Sequence, residues 1–304
     1  MSNEHYHIGE VGKKWNNNDK SKWLSEQTIK RSYQDDVVSE INKLSEDFDI
    51  STYGELKYSV GTYLLYSIKT KNWDATKPLI LVTGGVHGYE TSGVHGALRF
   101  ANTILQNKYY EKFNILILPC ISPWGYETIN RWNPLAVDPN RSFYDGSGSL
   151  EATNAMDYVK SFGMDIFMHI DLHETTDTDD TEFRLALVAR DGVEFGNWGI
   201  PDGYYLVADA QNIKLDFQKY INKHVSKVTH IAPSDKHGKI IGEDVVAEGV
   251  IAYEASKLGL CMGFSHAEYA TTTEVYPDSP KTTPGECILA QVATIQSAIK
   301  YIQK

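Results

Sequence analysis

The sequence has few of the features that mark membrane, disulfide-bonded or zinc-thiolate proteins. Its three cysteines, Cys120, Cys261 and Cys287, are scattered and odd in number, which argues against a disulfide framework and a thiolate zinc site. No apolar run approaches the roughly 20 residues that span a bilayer, and the polar N-terminus lacks the apolar core of a secretory signal. We therefore expect a cytoplasmic protein without a membrane partner.

Basic residues are also scarce. The chain has 29 Lys and Arg against 40 Asp and Glu, a formal net charge of -11. Because binding to a phosphate backbone needs a basic face, nucleic acid is not an expected partner. The length of 304 residues and the hydrophobic fraction of 41% are sufficient for one large globular domain.

Strands and helices alternate along most of the chain. Residues 79–83, 114–120 and 165–172 are apolar or β-branched runs, typical of strands buried on both faces. A helical stripe between the first two runs makes a strand–helix–strand unit, which implies a parallel pair and an α/β fold. We see no internal repeat or linker, so we expect a polar extension at residues 1–34 and one domain at residues 35–304.

Other segments give shorter predictions. Residues 50–60 and 63–69 predict a hairpin joined at Gly61, after a helix that runs from Asp35 to Phe48. Residues 16–20 are interpreted as loop, and residues 184–189 as a strand. The sequence Thr283-Pro284-Gly285-Glu286 predicts a capping box that starts a closing helix.

The stretch Pro78–Glu90, PLILVTGGVHGYE, is the centre of the functional interpretation. Its strand runs into Gly84 and Gly85, and His87 and Glu90 follow directly. In open α/β sheets, ligands bind outside the carboxyl ends of the strands, so both side chains stand where a metal ion could be held. The pair alone is a weak signal, because a histidine three residues before a glutamate is common by chance.

A catalytic zinc site needs three protein ligands and one open position. His173 also lies just beyond a buried strand, so it could complete a His/Glu/His set with His87 and Glu90. Between these residues lies a long irregular loop, residues 122–149, that contains Arg131, Asn140 and Arg141. Arginines near a zinc site suggest an anion-binding set, because the guanidinium fork matches a carboxylate.

This ordered set resembles the zinc carboxypeptidase family, which includes the succinylglutamate desuccinylase and aspartoacylase branch. The family's His-x-x-Glu pair matches His87 and Glu90, and its third ligand matches His173. Its Arg followed by Val-Asp-x-Asn-Arg matches Arg131 and residues 137–141. Its late glutamate matches Glu274. The resemblance covers roughly residues 50–304 and implies a three-layer α/β/α sandwich around a mixed, mostly parallel sheet.

The resemblance also implies roles. Zinc would be held by His87, Glu90 and His173, with Glu274 as general base and then general acid. Arg131 would stabilise the oxyanion, and Asn140 and Arg141 would grip the substrate's terminal carboxylate. Asp138 would orient His87 through its other ring nitrogen, and a mobile-loop tyrosine would correspond to Tyr253. Tyr269 and Tyr276 are close enough in the sequence to match the family's tyrosine instead, and Tyr253 could equally be a core tyrosine in a strand.

Several alternatives stay open at the level of the sequence. The acidic turn at Glu174, Asp177, Asp179 and Asp180 has three possible interpretations: a solvated loop, a site that recognises a basic group, or a second metal site. The expected reaction is hydrolysis of an amide bond next to a free carboxylate, in a peptide or a modified amino acid. The rivals are N-acyl amino acid deacylation and a non-catalytic binding protein of the same fold. Deglutamylation of protein tails would require a basic groove, which the acidic composition does not favour.

Overall fold

An eight-stranded sheet forms the centre of the protein, which is described here from a computed structural model at residues 5–194, 196 and 198–304. Its strands, in chain order, are β1 (Phe48–Tyr58), β2 (Gly61–Thr70), β3 (Leu79–Gly84), β4 (Asn114–Leu118), β5 (Ile166–Glu174), β6 (Tyr205–Asp209), β9 (Val250–Tyr253) and β10 (Tyr269–Val275). A separate small ribbon pairs β7 (Lys239–Ile240) with β8 (Glu243–Asp244).

The strand order across the sheet is β1-β2-β4-β3-β5-β10-β6-β9. The pairs β3/β4, β3/β5, β5/β10 and β6/β9 are parallel, whereas β1/β2, β2/β4 and β6/β10 are antiparallel. The mixed, mostly parallel sheet expected from the resemblance is therefore confirmed. Strands β3, β5 and β10 are neighbours and parallel, so their carboxyl ends meet at one edge.

Helices cover both faces of this sheet. The helices are α1 (Asn17–Ser25), α2 (Ser39–Lys43), α3 (Thr91–Gln106), α4 (Pro123–Thr128), α5 (Leu150–Lys160), α6 (Arg184–Asp191), α7 (Leu215–Val225), α8 (Cys261–Phe264) and α9 (Pro284–Ile302). One core contains alternate residues of β3, Ile80 and Val82, with residues of α3, α7 and α9. The other contains Leu79 and Leu81 with residues of α5 and α8. Alternation along a strand thus fills both cores, because successive side chains point to opposite faces.

Three sequence predictions of local structure are wrong, and two of them concern a strand and the end of a helix. Residues 184–189 form the helix α6 rather than a strand, because a helical turn at Asp179–Phe183 leads directly into it. The left-handed Gly192, at φ 64°, ends it. A short apolar run does not distinguish the two structures by period. The helix predicted to reach Phe48 instead ends at Lys43, and Phe48 begins β1.

The N-terminal segment also has more structure than its polar sequence predicts. Asn16 caps α1 in a capping box with Asp19, so the loop interpretation of residues 16–20 is wrong. Trp15 and Trp23 are buried against Trp124 of α4 and Trp132 of the irregular stretch that follows it. These aromatic contacts attach residues 8–25 to the loop that carries the predicted anion-binding residues.

Within the part of the chain that the structure describes, no helix is both long and apolar enough to cross a membrane. The three cysteines are all buried and unpaired. The capping box predicted at Thr283 and Glu286 is present at the start of α9.

Two helical glycines give a matched test of the packing between α3 and β5. A Cβ on Gly93 would lie 2.4 Å from the Leu172 carbonyl oxygen, whereas a Cβ on Gly285 would meet nothing nearer than 4.0 Å. We expect Gly93→Ala to destabilise the protein by about 1–3 kcal/mol, because backbone must shift. Gly285→Ala should be neutral or slightly stabilising. Urea unfolding of both variants measures the difference, and equal stability would contradict the close approach of α3 to β5.

Candidate metal centre and active site

The loop after β3 places His87 and Glu90 at the carboxyl edge of the sheet. Gly85 adopts φ 58°, a left-handed conformation that favours glycine, and turns the chain out of the strand. Gly88 packs so closely on α4 that a Cβ there would lie 2.0 Å from the Tyr126 backbone nitrogen. The chain then enters α3, with Glu90 as its N-cap residue. Both side chains are consequently fixed and buried.

The predicted ligand triad converges on one point. His87 Nδ1 lies 2.7 Å from Glu90 Oε1, and His173 Nδ1 lies 2.8 Å from Glu90 Oε2. His173 belongs to the end of β5, beside the strand that leads to His87. One donor atom from each residue lies within 4.8 Å of the others, and all three residues are buried.

The remaining ring nitrogen of each histidine faces a carboxylate. His87 Nε2 lies 2.9 Å from Asp138 Oδ1, the contact that the resemblance implies. His173 Nε2 lies 2.9 Å from Asp171 Oδ2, a contact that the sequence analysis missed. Spacing of two residues on a strand puts Asp171 and His173 on the same face, so the sequence did hold that signal. These contacts fix both rings with Nδ1 toward Glu90.

The donor set fits a divalent metal ion such as zinc. Glu90 Oε2 is fully buried and, despite its closeness to His173, has no partner with hydrogen-bond geometry among the described residues. Two imidazole nitrogens and one carboxylate are a usual ligand set of catalytic zinc. Burial would lower the pKa of His173, but Glu90 and Asp171 outweigh it and raise the pKa well above its ordinary value. Metal binding there must therefore displace a proton.

Arg131 is held beside this triad by two carboxylates. Its Nε donates to Asp138 Oδ2 at 3.1 Å, and its Nη1 to Asp179 Oδ1 at 3.2 Å. Tyr89 donates its hydroxyl to the same Asp179 oxygen at 2.8 Å. Burial alone would lower the pKa of Arg131, but Asp138, Tyr89 and Asp179 outweigh it, so the guanidinium stays charged. The sequence analysis named Asp179 only as part of the acidic turn and did not foresee its contact with Arg131, which joins residues far apart in the chain.

Glu274 lies next to the triad because β10 pairs with β5. The register puts Glu274 directly opposite His173. Thr175 donates its hydroxyl to Glu274 Oε2 at 2.8 Å, and the Thr175 oxygen lies 2.8 Å from the hydroxyl of Tyr205. Burial, opposed by the positive charge of His173, raises the pKa of Glu274 to about 8. A carboxyl group with a raised pKa is suited to exchanging protons near neutral pH.

Asn140 and Arg141 lie on a short turn after Asp138, which caps it by accepting from the Asn140 backbone N–H. Asn140 Oδ1 accepts from the Cys261 backbone N–H at 2.8 Å, which ties this turn to α8. The pKa of Tyr253 is raised to about 12, first by burial, and the charges of Arg141 and Glu274 also act on it. Tyr253 at the end of β9 is therefore within electrostatic reach of both.

Two side chains of the acidic turn, Glu174 and Asp179, are engaged inside the protein, whereas Asp177 and Asp180 lie nearer the surface. Glu174 caps α3 by accepting from the backbone N–H groups of Thr91, at 3.1 Å, and Ser92, at 2.7 Å. Asp177 accepts from the Tyr276 hydroxyl, and Asp179 holds Arg131. Neither Glu174 nor Asp177 belongs to a potential metal-binding group among the described residues. The second metal site that the sequence left open near Glu174 thus finds no support.

A second group of possible ligands, His169, Asp171 and Cys261, lies between β5 and the start of α8. Its polar atoms already have partners: Thr83 bonds to both His169 and Asp171, and Ser265 bonds to the other ring nitrogen of His169. Burial lowers the pKa of His169 to about 4. This group is best described as a hydrogen-bonded network behind His173.

A cavity of about 330 Å³ opens beside Asp138 and Arg141. The N-terminal segment forms part of its wall through Lys14, Trp15 and Lys20. Among the described residues, no carboxylate forms an ion pair with Lys14, Lys20 or Arg141, although the chain as a whole is acidic. The cavity is therefore a local basic region next to the candidate site.

Comparison with known sequences supports the resemblance. The sequence model of the zinc carboxypeptidase family matches residues 39–165. The matched part contains His87, Glu90, Arg131 and Arg141 and ends before His173. A search of curated proteins finds no match. The resemblance to the zinc carboxypeptidase family is confirmed.

Solved structures of metallopeptidases have the same fold. A Shewanella denitrificans OS217 protein assigned as a metallopeptidase is 18% identical at a TM-score of 0.65, over 91% of this chain and 96% of that one. A metallo-carboxypeptidase from Burkholderia cenocepacia is 13% identical at a TM-score of 0.60, over 88% and 68%. Bovine thrombin-activatable fibrinolysis inhibitor, solved with a tick carboxypeptidase inhibitor, is 12% identical at a TM-score of 0.57, over 96% and 98%. At these identities the likeness establishes the fold.

The raised pKa of Glu274 gives a test of its burial in the metal-free protein. Its folded pKa of about 8 lies above the ordinary value of 4.5, so folding favours the protonated form. Stability is then lost as pH rises from the ordinary pKa toward the folded one. We expect Glu274→Gln to raise the unfolding temperature relative to wild type at pH 8.5 and much less at pH 5. Thermal unfolding in a chelator measures this, and a gain that is independent of pH would contradict it.

Proposed function

We propose that this chain, with its zinc carboxypeptidase-like sequence and fold, is a zinc-dependent hydrolase that cleaves an amide bond next to a free carboxylate. The observation that carries the proposal is the convergence of His87, Glu90 and His173, with Glu274 and Arg131 beside them. The parts needed for metal-assisted amide hydrolysis are thus gathered at one edge of the sheet.

In this proposal His87, Glu90 and His173 hold the metal through Nδ1, a carboxylate oxygen and Nδ1. Zinc bound there would supply Lewis acidity toward the scissile carbonyl and an activated water. Asp138 and Asp171 keep the two imidazoles oriented with Nδ1 toward Glu90. The chain's own contribution to this part of the site is therefore a fixed and buried donor set.

Glu274 accepts the proton of the attacking water and later delivers it to the leaving amine. Its raised pKa supports both steps, because the protonated form must be accessible near neutral pH. Arg131 stabilises the negative charge that develops on the carbonyl oxygen. Its salt bridges to Asp138 and Asp179 hold the guanidinium in place before substrate arrives. Tyr253 is assigned to the substrate side of Glu274, where its neutral hydroxyl can donate a hydrogen bond.

Asn140 and Arg141 bind the substrate's free carboxylate in this proposal. Arg141 lines the basic cavity and is within electrostatic reach of Glu274, so in this proposal the leaving part of the substrate points toward Lys14 and Lys20. An N-acyl amino acid presents the same free carboxylate beside its amide bond, so deacylation remains the second candidate reaction. We place the reaction in the cytoplasm, consistent with unpaired cysteines.

Metal content and turnover measured together test the proposed function. We expect about one zinc per chain by elemental analysis, and hydrolysis of some member of a panel of C-terminally free peptides and N-acyl amino acids. Glu274→Gln should keep the zinc and lose activity by about 10²–10⁴-fold, because a proton acceptor is removed. Glu254→Gln, which alters a carboxylate paired with Lys257, is the control and should retain full activity.

The possible results separate the rivals. Hydrolysis of peptides but not N-acyl amino acids favours the carboxypeptidase reaction, and the reverse favours the deacylase. Zinc without turnover on any substrate would leave a binding protein of the same fold. If freshly purified protein contained no metal and took none up, the proposed function would fail.

The basic cavity predicts a preference for an acidic leaving residue. Peptides that end in Glu should have a lower KM than matched peptides that end in Gln, because Lys14 and Lys20 attract a second carboxylate. The double variant Lys14→Glu, Lys20→Glu should raise KM for the Glu peptide on the order of tenfold and leave the Gln peptide nearly unchanged. Lys13→Glu is the control, because Lys13 pairs with Glu10 and is not part of the cavity wall. Equal KM changes for both peptides would contradict the preference.

A further inference from the structure

Arg31 makes an unusual set of contacts around the candidate metal site. Its Nε donates to the Tyr126 carbonyl oxygen at 2.6 Å, its Nη1 to the Thr91 hydroxyl at 2.6 Å, and its Nη2 to the Gly88 carbonyl oxygen at 2.9 Å. The guanidinium carbon also lies 3.6 Å above the ring of Tyr126. Arg31 lies outside the residues that the family model matches.

Two of these contacts involve the residues that directly follow the first two candidate metal ligands. Gly88 directly follows His87, and Thr91 directly follows Glu90 as the first residue of α3. The Thr91 hydroxyl, which accepts from Arg31, donates in turn to the Tyr89 carbonyl oxygen at 3.1 Å. One side chain therefore joins the loop between the ligands, the start of α3 and the helix α4.

The backbone that carries Arg31 is itself fixed. The backbone N–H groups of Lys30 and Arg31 donate to the Glu127 carbonyl oxygen at 2.8 and 3.2 Å. The Tyr33 N–H donates to the Glu127 carboxylate at 3.0 Å. Arg31 thus reaches the ligand loop from a short segment that is anchored on the end of α4.

The loop has little freedom of its own to replace these contacts. Gly88 is pressed against Gly125 and Tyr126 with no room for a Cβ, so its carbonyl can point in few directions. The Glu90 N–H donates to the His87 carbonyl oxygen at 3.2 Å, which leaves the Gly88 carbonyl to Arg31. Removing the guanidinium would leave this carbonyl without that partner, and the ligand loop would have to shift.

We propose that Arg31 is a positioning residue that holds His87 and Glu90 in the geometry for metal binding and thereby sets the metal affinity of the site. The inference rests on the proposed function for the identity of the metal, but it is independent of which amide is cleaved. Arg31 itself contacts neither the metal position nor substrate and acts through Gly88 and Thr91.

The test compares metal affinity in Arg31→Ala, Arg31→Lys and wild type by competition with a chromogenic chelator. We expect the zinc dissociation constant of Arg31→Ala to rise by about 10–100-fold, the range found when groups that support metal ligands are removed. Arg31→Lys should recover only part of this, because an ammonium group cannot reproduce three donors in a planar fork. Arg99→Ala, an exposed arginine of α3, is the control and should bind zinc as wild type does.

Two further measurements separate positioning from a general loss of stability. The visible spectrum of the cobalt(II)-substituted protein reports ligand geometry, and it should change in Arg31→Ala but not in Arg99→Ala. Thermal unfolding of the metal-free variants is recorded in parallel. A lower unfolding temperature with unchanged zinc affinity and an unchanged cobalt spectrum would overturn the proposal.

A substitution that retains Arg31 covers the case in which Arg31→Ala does not fold. Thr91→Ala removes one of the three acceptors, so it should weaken zinc binding in the same direction by a smaller factor. Unchanged zinc affinity in both Thr91→Ala and Arg31→Lys would overturn the inference. Zinc binding by the wild type without any turnover would count against the proposed function alone, since the affinity comparison would still stand.

Discussion

The candidate site depends on the compensation of buried negative charge. Glu90, Asp138 and Asp171 lie around two imidazoles, and all five side chains are almost fully removed from solvent. Burying carboxylates is costly unless positive charge and hydrogen bonds offset the lost hydration. Arg131 supplies part of this charge, and the neighbouring carboxylates Glu90 and Asp171 raise the pKa of His173, which favours its charged form. A divalent cation would also offset the buried negative charge. The triad and its supporting carboxylates therefore form one electrostatic unit.

The fold brings this unit together from distant parts of the chain. Parallel pairing of β3, β5 and β10 puts the ends of all three strands at one edge, and each delivers part of the site: His87 and Glu90, His173, and Glu274. The irregular loop then crosses that edge with Asp138, Arg131 and Arg141. The N-terminal segment covers this loop through its tryptophans and reaches the ligand loop through Arg31. Residues that are far apart in the sequence therefore hold the candidate site in place together.

Local signals such as strand ends and glycines allowed the first five strands to be predicted, whereas the mixed sheet followed from the family resemblance and β6 was not foreseen. The positions of His87, Glu90, His173 and Glu274 followed from such signals together with a family resemblance. The contacts of Asp179 with Arg131, and of Glu174 with α3, depend on how remote segments meet, and no local pattern encodes them. For the same reason the acidic turn looked like a solvated loop. Helix α6 was mistaken for a strand because its short apolar run fits either period.

The capping of α3 by Glu174 has a consequence for motion. Glu174 lies one residue beyond His173 on β5, and it accepts from the first two N–H groups of the helix that begins directly after Glu90. Gly93 packs against the Leu172 carbonyl in the same region. Strand β5 and helix α3 are thereby linked at the point where His173 lies near the end of the strand and Glu90 precedes the helix. A local opening that moves Glu90 must therefore also disturb His173, so the candidate metal centre belongs to one cooperative unit rather than to a mobile loop.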